Sequence, residues 1–367
     1  MQRILQPGQI ESLDRTAIPR LRMPQRAEVF SARAGRLRQL ADGHPLGDYL
    51  RLMAAVADAQ QRLVDTLDAP RPSPEAIARA QQHCMPLVPA TGGYEAGRWQ
   101  PLLVPLLDAV VAQSGVPAGV RGVLDRIRNA DPAALDASAQ SLLAGHGKGV
   151  DPASAPFLMA ALQVLWTGVA SRFDAGEVPM LDVPNVCPVC GTLPVASVVR
   201  IGGPHEGYRY LACGLCSTEW HMVRVKCSHC EASEHVAYHV VDAAGDTAAL
   251  DAKAAKVAKA LDVESGQPAS SGQSAQSAPA DEGEAPAEGR TKRHGLDEAA
   301  RRVASSPIRA ESCDDCHSYR KIFYQDKDPF VEPVADDLAS LALDVLMGEA
   351  GYARANGNPL LWQSAEE

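Results

Sequence analysis

Eight cysteines stand in four Cys-x-x-Cys pairs: Cys187 and Cys190, Cys213 and Cys216, Cys227 and Cys230, Cys313 and Cys316. A pair at this spacing turns two sulfurs to one side of a tight loop. That is half of a tetrahedral four-sulfur site, and two such turns complete it. Soft thiolates of this kind suit zinc or iron. One pair is a weak signal; four within one third of the chain are a strong one, and eight ligands divide into two four-coordinate centres. The ninth cysteine, Cys84 in HCMPLVP, reads as a small buried apolar residue, since free cysteine packs well in cores.

Order and spacing suggest which pairs belong together. The first unit reads Cys187–Cys190, strand, a Gly202-Gly203-Pro204 turn, strand, Cys213–Cys216, then a strand from Trp220. The second reads Cys227–Cys230, strand, a long connection, Cys313–Cys316, then a strand from Tyr319. The connections hold 22 residues (191–212) and 82 residues (231–312), and the excess of 60 matches a low-complexity stretch at about 243–304. A duplicated ribbon with an insertion in its second hairpin follows. Centre one is then Cys187, Cys190, Cys213 and Cys216, and centre two Cys227, Cys230, Cys313 and Cys316; interleaved pairing is the rival.

Other chemistries compete for the same residues. A dithiol redox site at CPVC (187–190) would need a helix following a strand in a βαβ setting, whereas these pairs follow one another on short strands. CDDCH (313–317) matches the haem-attachment string, but the other pairs are followed by Gly191, Ser217 and Glu231. His205, His221, His229, His235 and His239 crowd the region and read as neighbours of the centres or as solvent-facing residues, because eight cysteines already fill two sites. No Gly-rich phosphate loop, Gly-x-Ser-x-Gly elbow, His-Glu-x-x-His or carboxylate pair offers catalytic machinery, so an enzyme is not expected.

The elements that position these residues differ along the chain. Up to about 183 the pattern is helical: Leu46, Leu50, Met53, Val56, Ala57, Leu63, Val64 and Leu67 recur at three- and four-residue spacing. A second helix starts near Pro101, and a third runs from about Pro156 to Phe173. After Pro184, short β-branched segments predict strands at 195–201, 208–211, 220–225, 236–241 and 319–324. Asp336, read as an N-cap, opens a last helix. The expected architecture is α+β: an all-α region at 1–183, ribbon modules at 184–226 and 227–335, and a C-terminal helix and tail at 336–367. Residues 265–290 contain no aliphatic side chain larger than alanine and no aromatic, which predicts disorder at the heart of the insertion.

The whole chain of 367 residues is 46% hydrophobic and 22% charged, enough for a sizeable core, and carries a net charge of −10. That charge weighs against nucleic acid and anionic membranes. A zinc-ribbon nucleic-acid face remains the alternative, built from Arg200, Arg209, Arg224, Lys226, Arg320 and Lys321 with Tyr208, Tyr210, Trp220 and Tyr319 interleaved. The Arg-rich start (Arg3, Arg15, Arg20, Arg22, Arg26, Arg33, Arg36, Arg38) reads as a solvated or partner-facing helix surface in preference to a transit peptide. The apolar run 156–169 is too short to span a bilayer and contains Gln163 and Thr167, so no membrane insertion is expected. With no secretory signal in view, reduced thiols and a cytoplasmic setting follow.

Several long segments resemble the formate dehydrogenase accessory proteins, the FdhE family. They are NVCPVCGTLPVASVV (185–199), GYRYLACGLCSTEWHMVRVKCSHCE (207–231), ESCDDCHSYRKIFYQDKDP (311–329) and VADDLASLALDVLMGEAGYARANGNP (334–359), with HPLGDYLRLMAAVADAQ (44–60) fitting too. The chain departs from that pattern at 243–304 and matches it weakly around 70–150. The resemblance implies a cytoplasmic helper needed for formate dehydrogenase activity, with the dehydrogenase catalytic subunit as partner. It also implies two rubredoxin-like modules binding two metal ions per chain through the eight cysteines, iron favoured over zinc. A client-docking face is expected at exposed residues from Tyr208 to Trp220 and from Ser228 to Glu231; the sequence leaves a homodimer open.

Overall fold

The computed structural model describes residues 18–92, 98–113, 116–145, 147, 149–224, 226–241 and 303–361. The N-terminal part is helical: α1 (Val29–Ala41), α2 (Gly47–Thr66), α3 (Pro74–Gln82), α4 (Gln100–Val111), α5 (Ala118–Arg128), α6 (Pro132–Leu143) and α7 (Ala155–Ala170). The α1–α2 turn needs a glycine, because a Cβ at Gly47 would meet the Ala41 carbonyl oxygen at 2.6 Å. Caps set other starts: the Ser73 side chain accepts from the Ala76 N–H, and Asp131 accepts from the Ala134 N–H. Every residue of α7 is buried, and α2, α4 and α6 pack around it. An apolar helix without a polar face belongs at the centre of a domain. The expected helices at 46–67, 101 onwards and 156–173 are all present. α1, α3, α5 and α6 were not visible, being short or rich in arginine and alanine.

The sheet carries the duplication. It runs β1-β4-β3-β2-β7-β6-β5, formed by β1 (Leu21–Arg22), β2 (Pro194–Val199), β3 (Arg209–Cys213), β4 (Glu219–His221), β5 (Val236–His239), β6 (Ile308–Cys313) and β7 (Ser318–Tyr324). β2-β3-β4 and β5-β6-β7 are two antiparallel ribbons of the same order. They join through a parallel pairing of β2 with β7, Ser197 opposite Ile322 and Val199 opposite Tyr324. Strand β6 was not anticipated; it precedes Cys313 and pairs with β5 from Val236↔Cys313 to His239↔Ala310. The low-complexity insertion lies almost entirely outside the described residues.

The C-terminal helix differs from expectation. It breaks at Ser340 into α8 (Pro333–Ala339) and α9 (Leu341–Glu349), followed by β8 (Ala353–Arg354) parallel to β7. Its N-cap is Glu332, whose carboxylate accepts from the Val334 and Ala335 N–H groups at 3.0 and 2.7 Å. Asp336 sits one turn further in, fully buried, and accepts from Arg36 of α1. Within the described part of the arginine-rich start, Arg33 and Arg36 face inward, whereas Arg38 stays exposed as expected. Arg33 pairs with Glu332, Arg36 with Asp336 and Asp328, and Arg20 donates to the Val178 and Pro179 carbonyls. A helical region, a mixed sheet bearing two four-cysteine clusters and closing helices make the chain α+β. Among the described residues no helix is long and apolar enough to cross a membrane.

Candidate metal centres

Each Cys-x-x-Cys turn forms at a ribbon end, and each closes the same way. The residue after the second cysteine takes a left-handed backbone: Gly191 (φ 77°), Ser217 (58°), Glu231 (64°) and His317 (50°). That reversal lets the first cysteine bond the residue two beyond the second: Cys187 N–H donates to the Thr192 carbonyl, Cys213 to Thr218 and Cys227 to Ala232, at 2.8–2.9 Å. Amides then point at sulfur. Leu215 and Cys216 N–H both donate to Cys213 Sγ at 3.3 Å, and His229 N–H donates to Cys227 Sγ at 3.4 Å.

The turns meet in the pairing that order and spacing favoured. Cys187, Cys190, Cys213 and Cys216 form one group and Cys227, Cys230, Cys313 and Cys316 the other, with all sulfurs of a group within 4.8 Å of one another. Sulfur–sulfur distances of 3.5 and 3.4 Å (Cys187–Cys216, Cys190–Cys213) and of 3.8 and 3.7 Å (Cys227–Cys316, Cys230–Cys313) are far from disulfide length. A tetrahedron with metal–sulfur bonds of ~2.3 Å has edges of about 3.8 Å. The donor set and its size therefore fit a tetrahedral thiophilic cation. Electrostatics agree. Burial pushes the Cys187 and Cys216 thiols well above the ordinary range and Cys313 up to about 12, while hydrogen bonds from their neighbours hold Cys213 and Cys316 below it despite burial. A cation at the middle reverses that penalty, because each thiolate then faces an opposite charge.

The two groups differ in cover. In the first, all four cysteines are at most 2% exposed. The segment before α4 lies across the first turn, with Val88 N–H on the Val189 carbonyl and Ala90 N–H on the Cys190 carbonyl, both at 2.8 Å. On the other turn, Gln163 donates to the Gly214 carbonyl at 2.6 Å and Thr167 to Leu215 at 3.4 Å. The two polar residues that interrupt the apolar helix thus hold the metal-binding loop. In the second group Cys227 and Cys313 are buried, Cys316 is half-buried and Cys230 is exposed.

Sequence reasoning missed several residues around the centres. Thr192 and Thr218 place their hydroxyls 3.2 Å from Cys190 and Cys216, where they can donate to thiolate sulfur. A signal existed: threonine stands two residues beyond the second cysteine in both turns of the first ribbon, against Ala232 and Ser318 in the second. No such signal marked the link between ribbons. Arg209 on β3 is fully buried and reaches Glu311 on β6 at 2.7 Å, Ser197 Oγ at 3.0 Å and the Lys226 carbonyl at 3.1 Å.

Two expectations need correction, and one alternative loses the surface it needs. Cys84 is exposed, at a left-handed position (φ 49°) just beyond α3, and is not a core residue. Arg200, Arg209, Arg320, Lys321, Tyr210, Trp220 and Tyr319 are buried in ion pairs and hydrogen bonds, which removes the face a nucleic-acid reading needs. The same burial covers most of Tyr208–Trp220 as a docking face, whereas His229 and Cys230 in the second segment remain open. None of the five histidines stands in either group: His235 pairs with Asp315 at 3.0 Å, His239 with Ser312 at 2.8 Å, and His205 and His221 pack against Tyr210.

Known proteins match this arrangement along its length. Family models match at residues 18–182 (FdhE, N-terminal), 186–224 (FdhE, central domain) and 289–361 (FdhE, C-terminal domain). A protein FdhE homolog of Pseudomonas aeruginosa is 36% identical over 99% of both chains. Protein FdhE of Escherichia coli K12 is 34% identical over 98% of this chain and 96% of its own. The crystal structure of the FdhE protein from Pseudomonas aeruginosa superposes with a TM-score of 0.69 at 34% identity, covering 95% of this chain and all of that one. From its helical start to the helices that close the double ribbon, the chain belongs to the FdhE family.

Proposed function

We propose that this protein is a non-catalytic cytoplasmic helper in the maturation of formate dehydrogenase. It binds the catalytic subunit, and two metal ions hold its double ribbon in shape. The observation that carries the reading is family membership over all three matched regions together with two complete four-cysteine groups. Cys187, Cys190, Cys213 and Cys216 hold one metal and Cys227, Cys230, Cys313 and Cys316 the other; the family resemblance favours iron, and zinc takes the same ligands. The docking face narrows to the loop His229–Glu231 beside the second group, where His229 and Cys230 are exposed and Glu231 half-buried.

Capture of the dehydrogenase catalytic subunit by the tagged full-length chain tests the reading. The native protein is expected to retain the subunit, and the Cys227→Ser, Cys230→Ser double variant to lose it. No retention by the native chain overturns the partner; undiminished retention by the double variant overturns the shaping role of the metal. Metal analysis after anaerobic purification, with the visible absorption of a ferric thiolate centre, decides between iron and zinc.

A further inference from the structure

The two groups share a fold and a ligand set yet meet solvent in opposite ways. At centre one every cysteine is sealed: loop 86–90 covers one turn, and α7 covers the other together with Pro359, which an added Cβ at Gly214 would meet at 3.3 Å. A cavity of about 600 Å³ between α1, β4 and the 329–334 loop reaches Cys213 and Ser217, but Cys213 stays 2% exposed at its floor. At centre two the turns are held from the sheet side, by Asn185 on the His229 carbonyl, Arg320 on Ser228 Oγ and Tyr352 on Asp314. The outward side is open, with Cys230 exposed and Cys316 half-buried. Beside the cysteines of that opening stand Asp314 and Asp315, both exposed, and Glu231, with Lys226 3.9 Å from Glu231 and His235 3.0 Å from Asp315. An acidic rim gathers cations at low ionic strength. Sulfur reactivity follows exposure: buried structural cysteines are inert, and partly exposed ones exchange.

We propose that centre two is the port through which a divalent thiophilic cation enters and leaves this protein, whereas centre one keeps its metal while that exchange runs. The step is a ligand exchange. With a cation held by Cys227, Cys230, Cys313 and Cys316, an incoming soft donor, a thiolate or a chelator, would displace Cys230 first and then the other three, each cysteine–metal bond breaking as one to the donor forms. Each freed thiolate takes a proton from water, and no electron changes hands. The inference rests on the reading that both groups bind metal. It adds that the duplicated ribbons have divided their roles, one fixing the body of the molecule and one trading with the outside.

The test uses the full-length chain loaded with zinc and challenged, without oxygen, with excess of a coloured pyridylazo chelator. Timed pulses of iodoacetamide and peptide mass mapping accompany the release. Two resolved phases of one zinc each are expected. During the first, alkylation falls on Cys227, Cys230, Cys313 and Cys316 and spares the other four; Cys84, exposed and outside both groups, reacts from the start. A single phase, or a first phase that labels Cys187, Cys190, Cys213 and Cys216, overturns the proposal. Fewer than two zinc ions before the challenge overturns the metal-binding reading instead, and the initial metal analysis separates that outcome. In the Asp314→Asn, Asp315→Asn variant, zinc should refill the emptied centre more slowly at low salt, with no difference near 1 M, where screening acts within ~3 Å. Equal refilling at low salt overturns the role of the rim.

Discussion

The four left-handed residues after the cysteine pairs show that these turns accept ordinary side chains only at a cost. Ser217, Glu231 and His317 adopt a backbone that costs an ordinary residue about 1–2 kcal/mol, and they are held there by the bonds that aim amides at sulfur. Gly191 adds a steric reason, since a Cβ there would lie 3.1 Å from Pro86 Cγ. Gly191→Ala is therefore expected to destabilise the chain by at least about 1 kcal/mol, read as a lower unfolding midpoint in denaturant with both metals bound. At this scale the cysteines were legible because their spacing is a property of a turn. Arg209 was not. A basic residue in a β-rich segment reads as surface, and its partner Glu311 is 102 positions away across the insertion.

Among the elements, the ribbon pairing could be argued from order because both units run turn, strand, turn, strand, although the second unit's inner strand β6 went unseen behind the insertion. The register explains why the second tolerates its insertion. The centre-two cysteines sit at the Val236↔Cys313 end of the β5–β6 hairpin, and the chain departs for residues 242–302 at the other end, past His239↔Ala310. Three residue steps of strand, about 10 Å, separate the two ends. Replacing residues 245–300 by a short Gly-Ser link is expected to leave two metals per chain, counted by elemental analysis; loss of one would show that the insertion shapes the centre. The cut must stop short of Val303, which is buried. Helix α1 stayed hidden because its buried face is built from Arg33 and Arg36 with Phe30 and Leu37, and periodicity reads only the apolar half. Such a face is intelligible only beside Glu332 and Asp336, which the fold supplies from the far end of the chain.

Across the whole molecule, buried charges tie distant segments where apolar contact alone would leave the sheet and helices free to slide. Asp337 receives Arg354, Asn358 at 2.7 Å and Lys321 at 3.5 Å. Burial opposes its ionisation, yet the Arg354 and Lys321 charges hold its carboxyl below the usual 3.8. A depressed folded value means that its contribution is complete above pH 3.8 and is lost as pH falls from there toward the folded value. Asp337→Asn should cost about 3 kcal/mol at neutral pH, because it removes one of the two carboxylates shared by buried Lys321 and Arg354, which keep Asp344. Unfolding free energy followed against pH should then fall less steeply in the variant than in the native chain below pH 3.8.

The Arg36–Asp336 pair joins residues 300 positions apart, and β2 finds its parallel neighbour only in β7. On the ribosome this imposes a wait. At about 5–20 residues per second, the first helix is made some 15–60 s before the carboxylate that neutralises its buried arginine. Until then the nascent chain carries uncompensated guanidinium groups and an open edge on β2, the kind of edge that pairs with other chains until it is covered. Asp336 and β7 thus close what α1 and β2 leave open.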